Sequence, residues 1–301
     1  MNIILFTSNI TGFKILEKLD EYSFYPSVVT FHKNFQRTNL SRDFSIFYNK
    51  FPITFISKNK YGLAKSEIQF TDAPYIICID WKKDFFKEEK PEGKNIIFAH
   101  PSLLPMYRGY GAITEQFLKG VSKSGISFYE ANDIIDGGGI IFQKEIIIEF
   151  NNYPMDFIEK FTDIAVEFIL DLNDKGINSF AKVPQNEDYS FYLTRQRTKN
   201  ALIDFNRDAY SLHNHIRAYS KPFFGAFFYF NNEKIIVWKA YTEKWQGDYG
   251  KPGVILRKND DGIEVAAGQG TIVITEIEKK EKIYKNFSIP FKENDNLFIT
   301  S

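Results

Sequence analysis

Cysteine is nearly missing from this 301-residue chain: Cys78 stands alone. One thiol closes no intrachain disulfide and supplies no multi-cysteine zinc site. Net charge is missing too, because 38 basic side chains balance 38 acidic ones. That balance argues against the basic surface of a general nucleic-acid coat and against the high net charge of a disordered chain. No apolar run approaches the roughly 20 residues of a membrane-spanning helix, and no basic-then-apolar leader opens the sequence. The chain is expected to be soluble and cytoplasmic, with no membrane partner. No Gly-x-Gly-x-x-Gly follows the first apolar run, which argues against a dinucleotide cofactor.

What is present is a large apolar fraction, 44%, enough for a sizeable core. The length suits one large domain and one small one. The N-terminal part alternates strand-like and helix-like stretches. Asn2–Phe6, Pro26–Phe31, Tyr75–Ile79 and Asn95–Ala99 read as strands, and Phe13, Leu16 and Leu19 recur at helical spacing. Continuous apolar strands separated by helices predict a Rossmann-like α/β fold, with a mostly parallel sheet covered on both faces. Phe157, Phe161, Ile164, Phe168 and Leu172 mark an amphipathic helix, with Pro154 suited to its first turn. From about residue 207 the pattern becomes short strands punctuated by Asn231-Asn232-Glu233, Asn259-Asp260-Asp261-Gly262 and Gly268-Gln269-Gly270. It predicts a small antiparallel, OB-like β-barrel. The expected division is 1–190 for the α/β domain, 191–206 for a linker and 207–301 for the small β domain. Residues 191–301 carry 17 basic and 13 acidic side chains, a mild excess that establishes no polyanion partner.

In an open α/β sheet, ligands lie at the carboxyl ends of the strands. His100-Pro101-Ser102-Leu103-Leu104-Pro105-Met106-Tyr107-Arg108-Gly109 follows a buried strand, so His100 is expected in that crevice. The prolines stiffen the loop, and Arg108 is a planar donor suited to phosphate or carboxylate. Later comes Ile134-Ile135-Asp136-Gly137-Gly138-Gly139, whose glycines allow close backbone approach to a flat ligand. Asp136 stands where it can meet His100. Taken singly, a histidine after a strand reads as structural and an Asp-Gly-Gly as a turn; the pair at strand ends carries the functional reading.

The runs His-Pro-Ser-Leu-Leu-Pro, Tyr-Arg-Gly and Asp-Gly-Gly-Gly-Ile-Ile resemble those of the folate-dependent formyltransferases. That family includes glycinamide ribonucleotide transformylase, methionyl-tRNA formyltransferase and the nucleotide-sugar N-formyltransferases. Ile216-Arg217-Ala218, Gly225-Ala226-Phe227 and Ile236-Val237-Trp238-Lys239-Ala240 resemble the C-terminal domain of the sugar enzymes. The likeness runs over roughly 1–277 and is weakest between about 33 and 74. It implies N10-formyltetrahydrofolate as the cofactor, with a substrate amine attacking its formyl carbon. It also implies catalytic roles for His100 and Asp136, an imidazole to take the amine's proton and a carboxylate to orient it. The pterin is expected beside Asp80, Trp81 and Lys82 on one side and Ile134, Ile135 and Asp136 on the other, with Trp81 reading equally well as a core residue. Ser102, Tyr107, Arg108 and Gly109, with Arg195 and Arg197, are the expected substrate contacts. No metal is expected: His213 and His215 diverge if Ser211–Tyr219 is helical.

The family carries an asparagine two residues before its histidine. Here that position is Phe98, which cannot donate to the formyl oxygen. Loss of one such donor lowers rate on the order of a hundredfold or more. Three readings follow: another donor, such as a backbone N–H, Asn132 or a water; a different acyl donor; or an impaired relative that only binds. The resemblance favours a nucleotide-linked aminodeoxy sugar as the small-molecule acceptor, no nucleic-acid partner and a homodimer. A methionyl-tRNA formyltransferase-like enzyme and a formyltetrahydrofolate hydrolase are the alternatives.

Overall fold

The computed structural model describes residues 2–32, 40–56, 72–81, 86, 91–194 and 198–297. The chain divides into two units that interleave along the sequence. The first gathers Met1–Ala112, Lys123–Ile147 and Phe157–Thr194, and the second gathers Ile113–Ser122, Ile148–Asp156 and Arg195–Ser301.

In the first unit β1 (Ile3–Phe6), α1 (Ile10–Glu21), β2 (Ser27–Phe31), β3 (Ile53–Ile56), β4 (Tyr75–Cys78) and β5 (Asn95–His100) come in order. A two-residue β6 (Arg108–Gly109) precedes α2 (Ala112–Leu118), and β7 (Lys123–Glu130), β8 (Ile140–Ile147), α3 (Pro154–Lys175) and β9 (Tyr192–Leu193) complete the series. Seven strands form one sheet in the order β3-β2-β1-β4-β5-β7-β8. The first five pair in parallel, whereas β5–β7 and β7–β8 are antiparallel. The parallel part contains the four strands that the apolar runs predict and adds β3 at its edge. The antiparallel edge is the feature that periodicity alone did not expose, and it sets the site.

The apolar positions behave as their periods require. Ile15, Leu16 and Leu19 of α1 are wholly buried, as are Phe168, Ile169 and Leu172 of α3. Phe168 stacks on Phe128 of β7 at 4.0 Å between ring centres, which fixes the α3 face against the antiparallel edge. Fully burying such a ring stabilises by about 2–3 kcal/mol. The segment expected as a linker is divided: Tyr192–Leu193 pairs in parallel with Arg108–Gly109, and Ala201, Ile203 and Phe205 are core residues of the second unit.

In the second unit α4 (Ala209–Tyr219) is capped by Asp208, whose carboxylate accepts the Ser211 N–H at 2.8 Å. Five strands follow the order β10-β11-β14-β13-β12, namely β10 (Ala226–Phe230), β11 (Glu233–Tyr241), β12 (Ile255–Asn259), β13 (Gly262–Ala266) and β14 (Thr271–Lys279). β15 (Lys282–Lys285) adds to β14, and all these pairings are antiparallel. Among the described residues the sheet is an open path. Asn231 and Asn232 form the β10–β11 hairpin with φ of 50° and 61°, the left-handed pair a two-residue turn needs. The stretch after Lys279 carries more than sequence periodicity suggested: Ile289, Phe291 and Leu297 are buried in this core. No helix among the described residues is long and apolar enough to cross a membrane.

Candidate active site

β5 ends at His100, so its imidazole stands at the carboxyl edge of the sheet, 6% exposed. Nε2 lies 2.8 Å from the Tyr107 carbonyl oxygen. A carbonyl only accepts, so Nε2 carries the hydrogen in that bond. Nδ1 then turns to Asp136, with Oδ2 3.6 Å away, within ion-pair reach. The arrangement leaves Nδ1 as the nitrogen able to take a proton, with a carboxylate beside it to stabilise the imidazolium.

Asp136 is itself held from three sides. Its Oδ2 accepts the Gly109 N–H at 2.7 Å, and its Oδ1 accepts the Tyr129 hydroxyl at 2.5 Å. The Gln185 amide donates to the carbonyls of Asp136 and Gly138, each at 2.7 Å. Asp80, Tyr107 and Asp136 have φ of 54°, 61° and 51°. Each left-handed side-chain-bearing residue costs about 1 kcal/mol. They fall in the loops after β4, after β5 and between β7 and β8, where the backbone is bent for position rather than for ease. Asp80 is an exposed residue whose carboxyl interacts with Thr11, Asn9 and His100. The packing around that carboxyl, opposed by these three groups, leaves its pKa above the ordinary value.

Several expected roles change once the side chains are placed. Arg108 does not face a substrate anion, for its side chain is wholly buried. Its five N–H groups are all occupied: Gln185 Oε1 takes two at 3.2 and 2.7 Å, Glu187 takes two at 2.8 Å, and Tyr192 Oη takes one at 3.0 Å. Arg108 therefore ties the loop 185–192 to the site, and through Gln185 to the Asp136 turn. Ser102 is likewise turned inward, donating to the Met106 carbonyl at 2.7 Å. Trp81 is a core residue, stacked on Phe31 at 4.7 Å and edge-on to Phe6. Gly138 serves packing rather than a ligand, because a Cβ there would lie 1.5 Å from the Glu130 carbonyl oxygen. Gly109 has φ of 95° and gives its N–H to Asp136. Tyr107 is half-buried, its ring edge-on to Phe191 at 4.6 Å. Lys82, Arg195 and Arg197 lie outside the described residues.

Phe98 is 4% exposed and packs beside Phe86 and Tyr129 in an aromatic cluster. Asn132, a candidate substitute donor, sits at an exposed turn where its Oδ1 accepts the Ile134 N–H. Ile134 and Ile135 are 46% and 56% exposed on the same loop as Asp136. Exposed aliphatic side chains on the loop of the Asp136 carboxylate suit a flat heterocycle bearing N–H donors, so the residues present fit a reduced pterin. Tyr129, Gln185, Glu187 and Tyr192 were not singled out from the sequence. Their roles depend on pairings between segments 7 to 84 residues apart, which no local pattern reports.

Comparison with known proteins places the two parts of the chain in one family. The formyl transferase family profile matches residues 64–171, and the formyl transferase C-terminal domain profile matches 196–288. The chain belongs to the folate-dependent formyltransferase family. It is 29% identical over 255 residues to the bifunctional polymyxin resistance protein ArnA of Wigglesworthia glossinidia brevipalpis, spanning 82% of this chain and 37% of that protein. It is 31% identical over 194 residues to methionyl-tRNA formyltransferase of Pseudothermotoga lettingae, spanning 62% of this chain and 61% of that protein. The chain thus spans less than two thirds of the curated relatives it matches. The solved N-formyltransferase of Helicobacter canadensis, in complex with folinic acid and dTDP-3-aminofucose, shares the fold with a TM-score of 0.66 at 19% identity, over 93% of this chain and 99% of that one.

Proposed function

We propose that this chain transfers the formyl group of N10-formyltetrahydrofolate to the free amine of a nucleotide-linked aminodeoxy sugar. The observation that carries the reading is the approach of His100 Nδ1 to Asp136 Oδ2 at a strand end. A new bond joins the acceptor nitrogen to the formyl carbon while the bond from folate N10 breaks. One proton leaves the acceptor amine and one reaches N10. His100 Nδ1 takes the first and Asp136 holds the ring that carries it. Ile134, Ile135 and Asp80 are the described residues that would flank the pterin. When bound, the folate supplies the activated one-carbon unit.

The sugar acceptor is supported by near end-to-end likeness in fold to the Helicobacter canadensis enzyme. The modest charge excess of residues 191–301 also disfavours a large polyanion. Likeness to methionyl-tRNA formyltransferase supports a second reading with a charged tRNA as acceptor. The test is incubation with N10-formyltetrahydrofolate and, separately, dTDP-3-aminofucose and related amino-sugar nucleotides, initiator methionyl-tRNA, or no acceptor. The expected product is the N-formyl sugar nucleotide, seen by mass spectrometry. Formylated tRNA alone would select the second reading, and formate release without an acceptor would make the protein a hydrolase. The sugar reading carries the expectation of a homodimer, checked by light scattering.

A further inference from the structure

The family resemblance leaves one place in the site empty of a donor, because position 98 is phenylalanine. β5 and β7 are antiparallel, with Phe98 directly opposite Tyr129 and His100 directly opposite Ser127. Residues directly opposed across such a pair share one face of the sheet, with Cβ atoms about 5 Å apart. Alternation along β5 also puts residues 98 and 100 on one face. Tyr129 therefore rises from the same face as the imidazole, one strand across from the position where a side-chain amide would stand. Its ring centre lies 6.0 Å from that of Phe98.

The phenol is aimed at the site and not at solvent. Tyr129 is 2% exposed, and its hydroxyl meets Asp136 Oδ1 at 2.5 Å. The carboxylate marks a point in this crevice where the phenol already serves an anionic oxygen. Burial, then the charge of Asp136, pushes the phenol pKa well above its ordinary value, so at neutral pH the group keeps its proton. Of the other polar side chains near these strands, Ser127 Oγ donates its hydrogen to the Ser102 carbonyl, and Asn132 lies on an exposed turn.

We propose that the Tyr129 hydroxyl is the donor to the formyl oxygen in this chain, taking the role that Phe98 cannot fill. The inference rests on the formyl-transfer reading but not on the identity of the acceptor. As the acceptor nitrogen bonds to the formyl carbon, negative charge grows on the formyl oxygen, and the phenol O–H turns to it from Asp136 Oδ1. Asp136 keeps the Gly109 amide on its other oxygen. No electrons leave the reacting pair, and the phenol proton stays on Tyr129.

The test is a spectroscopic one that needs no turnover. 10-Formyl-5,8-dideazafolate, labelled with carbon-13 at the formyl carbon, is bound to the wild type, Tyr129→Phe and Phe98→Asn/Tyr129→Phe, and the formyl carbonyl stretch is read by difference infrared spectroscopy. A hydrogen bond lowers that frequency. The expected result is a band at lower wavenumber in the wild type than in Tyr129→Phe, and a return toward the wild-type position in the double variant. Tyr129→Phe keeps the ring and its packing, so cooperative melting near the wild-type temperature is expected. An unshifted band in Tyr129→Phe overturns the proposal, whatever the double variant does. Failure of the wild type to bind the analogue overturns the folate reading together with this one. With an acceptor that turns over, Tyr129→Phe is expected to lower kcat at least tenfold and to leave the folate KM within threefold. A loss confined to KM would overturn the donor role.

Discussion

His100 and Asp136 meet through contacts that each residue makes separately with the loop 107–109. The Tyr107 carbonyl receives Nε2, and the Gly109 amide holds Oδ2. This makes the effect of single substitutions specific. His100→Ala removes the proposed proton acceptor and is expected to lower kcat by a factor of about 100 to 10,000, the usual range for a general base. Asp136→Asn keeps the shape and the Gly109 contact but removes the charge, and is expected to lower kcat less than His100→Ala does. Steady-state rates with melting curves check both, and a wild-type rate in either variant would contradict the assigned roles. Gly138→Ala belongs here as well. Its Cβ would overlap the Glu130 carbonyl oxygen at 1.5 Å, and the backbone cannot give way as a flexible side chain would. A lowered melting temperature together with impaired transfer is expected, because the same turn carries Asp136. Both catalytic candidates were legible in the sequence, since a motif names residue types at fixed spacing. Arg108 was legible as an important residue but not in its role. An arginine beside a strand end reads as an anion contact until Glu187, 79 residues away, is seen to take it.

At the scale of elements, the site is a junction between a parallel sheet and an antiparallel edge. β5 brings His100, β7 brings Tyr129, and the turn between β7 and β8 brings Asp136. Four of the five parallel strands were legible as apolar runs, whereas β3 (Ile53–Ile56) at the sheet edge was not read as a strand. Nor was β7, because Lys123-Ser124-Gly125-Ile126-Ser127-Phe128-Tyr129-Glu130 mixes polar and apolar residues. Its Ser127 serves a buried hydrogen-bond network with Leu104, Ser102 and Gln143, so the polarity is satisfied inside. The pairing of β6 with β9 is a second junction, pinned by the five N–H groups of Arg108. Lysine cannot copy that planar fork. Arg108→Lys is therefore expected to free Gln185 and let the Asp136 turn drift. A shift on the order of 1 Å lowers rate about a hundredfold, so kcat is expected to fall by that order while the folded state persists. Glu187→Gln is expected to do much less, because that carboxylate is half open to solvent and screened. Equal kcat losses in the two variants would show that charge, not the fork, holds the turn.

For the whole molecule, the interleaving of the two units decides what can be cut and how acid acts. Ile113–Ser122 and Ile148–Asp156 belong with the second unit, although they lie inside the segment read as the first domain. Arg217 shows why. Its guanidinium is 2% exposed, donates to the carbonyls of Glu149, Phe150 and Asn152, and lies over the ring of Phe117. Truncation after Thr194 would strip these segments of their partners, so a chain ending there is expected to aggregate. Acid acts on the same core. His213 and His215 are buried on α4, and burial lowers their pKa values to about 3 and about 4. The neighbouring Arg217 adds to the effect at His213, and Arg207 at His215. In the unfolded chain both rings take protons below about pH 6.5. Between pH 6.5 and 4 the unfolded state therefore binds more protons than the folded one. Stability is complete above pH 6.5 and falls as pH falls, by up to about 1.4 kcal/mol per pH unit for each ring. The loss continues until each folded-state pKa is reached. Urea unfolding at pH 7, 6 and 5 is expected to show this slope, and His213→Phe to halve the part that α4 contributes. A melting temperature that held constant from pH 7 to 5 would show that the two rings are protonated in the folded protein, with water or an anion reaching them.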